Sequence, residues 1–254
     1  MKTSKKASVH PKCGCTESAR ATAHCLKKAL GGFQAVCIIL LCLYAAVHLP
    51  TFDMRFYEYQ YVKNDVANTI NISEAELLRV TAHMLDYMRG RVPDLQVTAV
   101  VAGEPRLFFS EREIYHMIDV YILFVIGDIL RNIAIIGLLL AFGVAFYWRR
   151  YGFFAAYAKA NVIVIAIFMA LFAALAGIIA LDFDTAFIIF HEIFFFNDLW
   201  ILDPRVDLLI NMVPLPFFID LSMLIGVLFF GMLTIVLAAS VWAWKCFAQV
   251  KNNE

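Results

Sequence analysis

The run ANVIVIAIFMALFAALAGIIAL at residues 160–181 contains no charged side chain. It is long enough to cross a bilayer as one helix, since the hydrocarbon core needs about 20 helical residues. Comparable runs lie at 33–49, 129–147 and 217–244. The whole chain is 62% hydrophobic, whereas soluble domains are roughly 45–50% apolar. These features predict an α-helical integral membrane protein with four transmembrane helices.

The basic residues beside these runs predict how the chain is oriented. Cytoplasmic loops of membrane proteins carry an excess of lysine and arginine. Such residues precede the first run, separate the second from the third and follow the fourth, at Lys2, Lys5, Lys6, Lys12, Arg20, Lys27, Lys28, Arg149, Arg150, Lys159, Lys245 and Lys251. We therefore expect both termini in the cytoplasm. The formal net charge is zero, so the positions of the charges are more informative than their sum.

The predicted segments alternate between the two sides of the membrane. We expect the first apolar run to be an uncleaved anchor, because no convincing small-residue cleavage site accompanies it. In order, the segments are a cytoplasmic basic leader (1–31), the first span (32–49), an extracellular cap (50–118), the second span (119–148), a cytoplasmic loop (149–159), the third span (160–181), an extracellular aromatic-rich segment (182–216), the fourth span (217–245) and a cytoplasmic tail (246–254).

The cysteines exclude some chemistry on the external side. All six lie in the leader, the first span or the cytoplasmic end of the last span, at Cys13, Cys15, Cys25, Cys37, Cys42 and Cys246. The external segments therefore have neither a disulfide nor a thiol nucleophile. Three of these cysteines could bind metal together with His10 and His24, but their spacing matches no standard zinc pattern. We expect this lysine-rich leader to be disordered.

The first external segment has the features of a small α+β cap. Its alternating residues 56–62, with tyrosines at every second position, predict a strand. Ser73 and Glu76 fit a capping box, which predicts a helix from there to Gly90. Residues 95–101 read as a second strand, and 106–109 as its partner after a turn. His83 lies off the apolar face of the helix, so we interpret it as a surface histidine.

A second capping box, Ser110 to Glu113, begins a helix that passes through His116 and continues into the second span. Counting about 20 residues back from Trp148 places the outer boundary at Asp128, with His116 some 18 Å above it at about 1.5 Å per residue. If the helix is tilted, or if Asp128 and Arg131 pair inside the bundle, His116 lies nearer the headgroups. We expect this second arrangement, because the apolar run 120–126 has little reason to stand in water.

The second external segment is rich in aromatic residues. Phe187, His191, Phe194 and Phe195 share one helical face, which predicts a short interfacial helix. Asp203 and Pro204 then resemble an N-cap followed by a proline at the first helical position, so a second helix is predicted through Val213.

Two external histidines, His116 and His191, suggest acid–base chemistry, because a neutral imidazole accepts protons near physiological pH. Asp119 follows His116 at i, i+3 and could orient its ring, although structural histidines are satisfied in the same way. No His-Glu-x-x-His motif exists, so a metal hydrolase would need His116, His191 and one of Glu192, Asp119 or Asp203.

A serine hydrolase is disfavoured, since Ser73 and Ser110 are explained as N-caps and no Gly-x-Ser-x-Gly elbow is present. Acyl transfer remains possible if the attacking group belongs to the substrate. A non-catalytic protein that binds lipid or a partner is the alternative class.

Two blocks carry a resemblance to a known family. They are FFSEREIYHMIDV at 108–120 and FHEIFFFNDLW at 190–200, the latter followed by Asp203 and Pro204. With these blocks the chain resembles the bacterial lipoprotein intramolecular transacylases over residues 52–218. The second block is the more specific one, because its polar residues are embedded among many aromatics. The cysteine-containing leader has no counterpart in the family pattern.

The resemblance implies a bacterial cytoplasmic-membrane enzyme with four spans and an extracellular cap. Such an enzyme moves the sn-2 acyl chain of a diacylglyceryl lipoprotein to the α-amino group of that lipoprotein's N-terminal cysteine, which gives the lyso form. The family's two catalytic histidines correspond to His116 and His191. Diacylated lipoproteins and membrane lipid are the implied partners, and no metal, cofactor or nucleic acid is required.

Within that resemblance we expect His116 to act as the base, oriented by Asp119, and His191 to donate to the oxyanion; the reverse assignment stays open. The further supporting candidates are Glu111, Glu113, Glu192, Asn197, Trp200 and Asp203, although capping alone would explain Glu113 and Asp203.

Overall fold

The computed structural model describes residues 15–147 and 151–252 of the chain. These residues form nine helices and one two-stranded sheet. Their bounds are α1 Cys15–Thr51, α2 Met54–Lys63, α3 Val66–Ile70, α4 Glu74–Met88, β1 Thr98–Val101, β2 Glu104–Leu107, α5 Glu111–Tyr147, α6 Tyr151–Leu181, α7 Phe183–Phe194, α8 Leu209–Met212 and α9 Leu215–Asn252.

Four of these helices are long and apolar enough to cross a membrane. The spanning portions are Cys25–Thr51, Glu111–Tyr147, Phe154–Leu181 and Leu215–Gln249. Most of their surface is exposed to the surroundings, as expected for helices that face lipid. The predicted class, a helical membrane protein with four spans and a small cap, is confirmed.

Helix α1 lies at the centre of the bundle and packs against α5, α6 and α9. Glycine allows two of these close approaches. A Cβ atom on Gly31 would lie 2.7 Å from the carbonyl oxygen of Tyr157 on α6, and one on Gly137 of α5 would lie 2.9 Å from the ring of Phe33. Neither contact is sterically possible for a larger residue without a shift of the helices.

The cap has a hydrophobic core of its own, built from α2, α3, α4, the hairpin and the start of α9. Phe108, just before α5, and Phe217, in the first turn of α9, are almost completely buried in it. Val120, Tyr121 and Phe124 of α5 also pack against this core. The cap therefore rests on the N-terminal ends of two spanning helices, α5 and α9, which fixes their relative position.

The strand predicted at 56–62 is wrong, because this segment is helix α2. Asp53 caps the helix by accepting a hydrogen bond from the backbone N–H of Arg55. The buried side chains are Tyr57, Gln60 and Tyr61, whose spacing is that of a helix, while Tyr59 points outward and is 63% exposed. The alternation of tyrosines concealed this pattern.

The helix α4 and the hairpin follow the prediction in outline. Ser73 caps α4 by accepting from the backbone N–H of Glu76, and Gly90 adopts a left-handed conformation just beyond its end, with φ of +68°. The hairpin is shorter than predicted and its second strand begins at Glu104. Ala102 and Gly103 both have positive φ, as a two-residue turn between twisted strands requires.

The helix predicted from Asp203 to Val213 is also wrong in extent. Residues 204–206 form turns, and only Leu209–Met212 is helical. The reason is the side chain of Asp207, which accepts hydrogen bonds from the backbone N–H of Asp203 and from the hydroxyl of Ser110. The aromatic helix α7 is present, but it ends at Phe194, and Phe195 adopts an extended conformation.

Some predictions fall outside the described residues. These are residues 1–14 of the leader with Cys13 and His10, the loop residues Trp148, Arg149 and Arg150, and the last two residues of the tail. The disorder predicted for the rest of the leader is wrong, because the chain is helical in α1 from Cys15 onward. The predicted pair of Asp128 and Arg131 is confirmed, with nitrogen and oxygen 2.9 Å apart. The hydroxyl of Tyr44 on α1 joins it by donating to the Asp128 carboxylate at 2.7 Å.

Candidate active site

His116 of α5 and His191 of α7 face each other, with ring centroids 6.1 Å apart and ring planes at 34°. Both side chains are buried, at 7% and 8% exposure. A single tetrahedral centre placed between them is within hydrogen-bond reach of each ring, since that reach is about 3 Å. The two residues that sequence reasoning selected therefore meet at one place.

The capping box of α5 positions His116 in the second turn of that helix. The hydroxyl of Ser110 accepts from the backbone N–H of Glu113, and the Glu113 carboxylate accepts from the backbone N–H of Ser110. The same carboxylate also accepts from the backbone N–H of Leu209, and its residue is 1% exposed. Glu113 thus ties the start of α5 to the segment that precedes α9.

Helix α7 positions His191 near its end. Asp182 begins the helix by accepting from the backbone N–H of Thr185 at 3.1 Å. One turn from the other end, Nδ1 of His191 lies 2.7 Å from the carbonyl oxygen of Phe187. A carbonyl oxygen can only accept, so Nδ1 carries the hydrogen and donates it. The neutral ring then has its lone pair on Nε2.

Burial keeps the His191 ring neutral near pH 7. It lowers the pKa of His191 from its usual value of 6.5, and the hydrogen bond to the Phe187 carbonyl opposes part of this change. Desolvation disfavours the charged imidazolium, which is the reason for the direction. His191 is therefore a neutral base with its acceptor nitrogen fixed by the helix.

Aromatic rings enclose the two histidines. Phe195 lies 5.1 Å from the His116 ring and 5.4 Å from the His191 ring, and is itself 5% exposed. Phe187 and Trp200 contact His191 at 4.2 and 4.9 Å between centroids. These rings line the space around the imidazoles, and aromatic faces form few hydrogen bonds with water.

Two hydrogen bonds join the loop after α7 to α5. The side-chain amide of Asn197 donates to the carboxylate of Asp119 at 2.8 Å, and the guanidinium of Arg112 donates to the carbonyl of Asp198. Asp119 and Arg112 each lie about one helical turn from His116 on α5. These bonds hold the aromatic loop, and with it Phe195, over the histidine pair.

The expected hydrogen bond between His116 and Asp119 is wrong. Asp119 accepts from Asn197 instead, and the buried Nδ1 of His116 has no hydrogen-bond partner among the described residues. At i, i+3 the two side chains are near each other along α5, but the carboxylate is directed to the loop. His116 therefore has a buried ring nitrogen that no described residue of the protein uses.

The other candidates divide between the site and the frame around it. Trp200 contacts His191, and Glu113 and Asn197 act through the hydrogen bonds described above. Asp203 forms an ion pair with Arg205 at 2.6 Å, at the surface, and Glu111 and Glu192 are exposed. Exposed carboxylates outside the enclosed space offer no contact with either imidazole.

Sequence reasoning missed three contributors. The carbonyl of Phe187, the ring of Phe195 and the carboxylate of Asp207 all shape the site. The i, i+4 spacing of Phe187 and His191 on one helix could have indicated the first. The i, i+4 spacing of His191 and Phe195 could have indicated the second, since their ring centroids are 5.4 Å apart. Nothing local indicates the contact of Asp207 with Ser110, which lies just before α5.

The described residues include no group of three or more histidine, cysteine, aspartate and glutamate side chains suited to hold a metal ion. The described part of the chain therefore gives no support to the metal-hydrolase alternative. The hydroxyl of Ser110 is engaged in the helix cap and with Asp207, which agrees with its interpretation as an N-cap.

Solved structures show the same fold. The membrane-integral lipoprotein intramolecular transacylase Lit from Bacillus cereus matches with a TM-score of 0.69 at 18% identity, over 90% of this chain and 99% of that one. Two variants of that enzyme, with a histidine replaced by arginine or by alanine, match with TM-scores of 0.66 and 0.59 at 16% and 18% identity. They cover 92% and 94% of this chain and 98% of theirs. At these identities the likeness establishes the fold alone.

Family membership comes from a separate comparison. No curated protein sequence matches the chain significantly. The family model described as lipoprotein intramolecular transacylase Lit matches residues 33–218, which is well over half of the chain and includes both histidine blocks. This protein therefore belongs to the Lit family of lipoprotein intramolecular transacylases, and it is a multi-pass membrane acyltransferase.

Proposed function

We propose that this enzyme moves the sn-2 acyl chain of a diacylglyceryl lipoprotein to the α-amino group of the same lipoprotein's N-terminal cysteine, with His191 as the base and His116 as a hydrogen-bond donor. The observation that carries the proposal is the enclosed pair of imidazoles 6.1 Å apart. The tautomer of His191 supports the reverse of the role assignment expected from sequence.

In the first step the amine nitrogen attacks the ester carbonyl carbon. Nε2 of His191 removes a proton from the attacking amine, because Nδ1 is occupied by the Phe187 carbonyl. A C–N bond forms, and the carbonyl oxygen becomes an oxyanion. An N–H of His116 donates to that oxyanion, a role that its unpartnered nitrogen leaves open.

In the second step the tetrahedral intermediate collapses. The bond between the acyl carbon and the sn-2 oxygen breaks, and the His191 imidazolium returns its proton to that oxygen. The products are an N-acyl amide and a free sn-2 hydroxyl on one molecule. Atoms and charges balance without water, a covalent enzyme intermediate or any further reactant.

The surroundings of the pair favour transfer over hydrolysis. Phe195, Phe187 and Trp200 surround His191, so little room remains for a competing water molecule. The amine and the ester are already on one molecule, and well-oriented intramolecular reactions reach effective concentrations of about 10⁵–10⁸ M. The enzyme mainly has to fold the substrate so that its two groups meet.

Helix α7 gives the lipid chains access to this site. Its outward side carries the exposed apolar residues Ile189, Ile193 and Phe194, and Phe196 just beyond it is 96% exposed. Such a helix beside a span lies in the membrane interface with its apolar side toward the lipid. We infer that it lies at the outer leaflet, because the flanking lysines and arginines favour a cytoplasmic position for both termini and for the region 149–159 between α5 and α6.

Alanine substitution tests the proposal. His116→Ala and His191→Ala are each expected to lower formation of the lyso product by about 10²-fold or more, the scale of losing a general base or an oxyanion donor. The readout is mass spectrometry of a synthetic diacylated lipopeptide incubated with the purified protein.

His83→Ala is the matched control. His83 belongs to helix α4 of the cap, and its Nε2 lies 3.1 Å from the carbonyl oxygen of Asp94. It should keep normal activity. Full activity of both site variants would leave only a non-catalytic role for the histidines. Loss of activity on treatment with a chelator would instead favour a metal-dependent reaction.

A further inference from the structure

A second cavity lies apart from the histidine pair, between α1, α5 and the turn that follows α4. It has a volume of about 250 Å³ and is lined by three arginines, Arg89, Arg91 and Arg131, together with aromatic rings. Pockets for drug-sized ligands are about 300–1,000 Å³. This one suits a compact polar group rather than a whole lipid or peptide.

The charges around the cavity leave an excess of positive charge. Arg131 pairs with Asp128 at 2.9 Å. Arg91 and Arg89 share one carboxylate, that of Asp86, at 3.1 and 3.8 Å. Three guanidinium groups thus face two carboxylates, and Asp86 lies outside the cavity lining. An anion in the cavity would complete the balance.

The guanidinium groups are held in place before any ligand arrives. Arg89 lies over the ring of Phe52 at 4.6 Å and donates to the Phe52 carbonyl at 3.0 Å. Arg131 donates to the hydroxyl of Tyr44 at 2.6 Å. Such fixed, planar groups bind phosphate oxygens in pairs, with little loss of side-chain freedom.

Two independent counts place this cavity at the outer boundary of the hydrocarbon core. His48 lines it and lies about 20 residues after Lys28, the last basic residue before the first span, which is one membrane thickness. Asp128 also lines it and lies about one such length before Tyr147 at the other end of α5.

The apolar run 120–126, on the cap side of Asp128, is compatible with a membrane boundary at Asp128. Val120, Tyr121 and Phe124 pack against the core of the cap, so lipid is not their only apolar surrounding. The reason for expecting a deeper position of Asp128 and Arg131 is thereby removed. Arg91, with 63% of its side chain exposed, also belongs at a polar level.

We propose that this cavity binds the phosphate of an anionic phospholipid from the outer leaflet. Basic pockets between transmembrane helices bind lipid headgroups in this way. The site is distinct from the proposed substrate site, because the diacylglyceryl end of a lipoprotein carries no phosphate. A lipid held here would bridge α1, α5 and the cap, and would stabilise the cap on the bundle.

The experiment uses the full-length protein, purified in detergent and freed of lipid. Phosphatidylglycerol, diacylglycerol and inorganic phosphate are titrated separately, and binding is followed by native mass spectrometry. We expect phosphatidylglycerol to bind and the Arg89→Gln/Arg91→Gln double variant to bind it about tenfold or more weakly, as the loss of charged hydrogen bonds implies. Arg91→Gln alone should show a smaller loss, and because Arg91 is exposed this variant should fold normally.

Arg55→Gln is the matched control, because Arg55 is a cap arginine with 86% of its side chain exposed that does not line the cavity. It should bind phosphatidylglycerol as the unmodified protein does. Equal affinity of the double variant and the unmodified protein would overturn the proposal. Equally tight binding of diacylglycerol and phosphatidylglycerol would also overturn it, because it would show an apolar site. Binding of inorganic phosphate but not of phosphatidylglycerol would overturn it as well.

Discussion

Glutamine in place of each histidine separates the two roles proposed for the pair. The side-chain amide of glutamine retains an N–H donor near the position of Nε2 but is not a base. If His191 is the base, His191→Gln should be as inactive as His191→Ala, about 10²–10⁴-fold below the unmodified enzyme. If His116 is a donor to the oxyanion, His116→Gln should recover activity relative to His116→Ala.

The size of that recovery follows from the role. Removing one oxyanion donor costs about 10²–10³ in rate, or about 2.7–4 kcal/mol. A retained but misplaced donor restores part of this, so we expect His116→Gln to be about tenfold or more faster than His116→Ala, at about 1.36 kcal/mol per tenfold. His116→Asn is the companion variant, because its amide mimics Nδ1, the nitrogen that lacks a partner within the described residues.

The assay is the initial rate of lyso product formation at saturating lipopeptide, with thermal unfolding in detergent to show that all variants are folded. Recovery at position 191 without recovery at 116 would reverse the roles. Equal inactivity of the glutamine, asparagine and alanine variants at position 116 would refute a donor role for His116.

Three further predictions concern the frame and the titration of the site. Glu113→Ala leaves two backbone N–H groups, those of Ser110 and Leu209, without their acceptor. At about 1–3 kcal/mol for each group, the free energy of unfolding should fall by about 2–6 kcal/mol, whereas Glu111→Ala at the exposed first turn should change it little. Equal melting temperatures of the two variants would contradict the proposed role of Glu113. Asn197→Ala breaks the hydrogen bond to Asp119 and should lower the rate by about 2- to 10-fold. In a double-mutant cycle, adding Asp119→Ala to this variant should cause no further loss. Because burial lowers the pKa of His191, its neutral form persists below pH 6.5. The rate at saturating substrate should therefore fall on acidification with an apparent pKa under 6.5. An apparent pKa above 6.5 would show that another group controls the loss of activity at low pH.

Features that depend on neighbouring residues could be predicted from sequence. The four spans follow from run length and hydropathy, since each run must meet the same membrane thickness. The caps at Ser73 and Ser110 follow from a spacing of three residues that satisfies free backbone N–H groups. His191 lies outside the four spanning portions, whereas His116 lies in the second turn of the helix that contains the second one.

Features that depend on distant partners could not be predicted. Helix α2 is stabilised by Gln60 and Lys63, which both donate to Asp220 on α9, and no local pattern reveals that partner. The short segment 56–62 satisfied a strand pattern equally well, which is the usual ambiguity of short runs. The contact of Asp207 with Ser110 redirected the chain after Asp203 in the same way.

The role of each histidine shows where the limit lies. An aspartate at i, i+3 from His116 was a reasonable orienting group, yet its carboxylate is bound by Asn197 from another segment. The group that does fix a tautomer is the backbone carbonyl of Phe187, which every helix provides to a histidine four residues later. A local pattern could therefore suggest a base at either position. The tertiary bond from Asn197 takes Asp119 away from His116, whereas the local Phe187 carbonyl holds Nδ1 of His191.

In the proposed mechanism two histidines suffice for acyl transfer. An enzyme that passes an acyl group between separate molecules commonly supplies its own nucleophile to hold the group in the interval. Here the attacking amine and the ester belong to one substrate, so no holding step is required. The protein needs a base, a donor and a dry enclosure that brings the two groups together. The caps, the Asn197 bond and the Phe195 ring provide that enclosure.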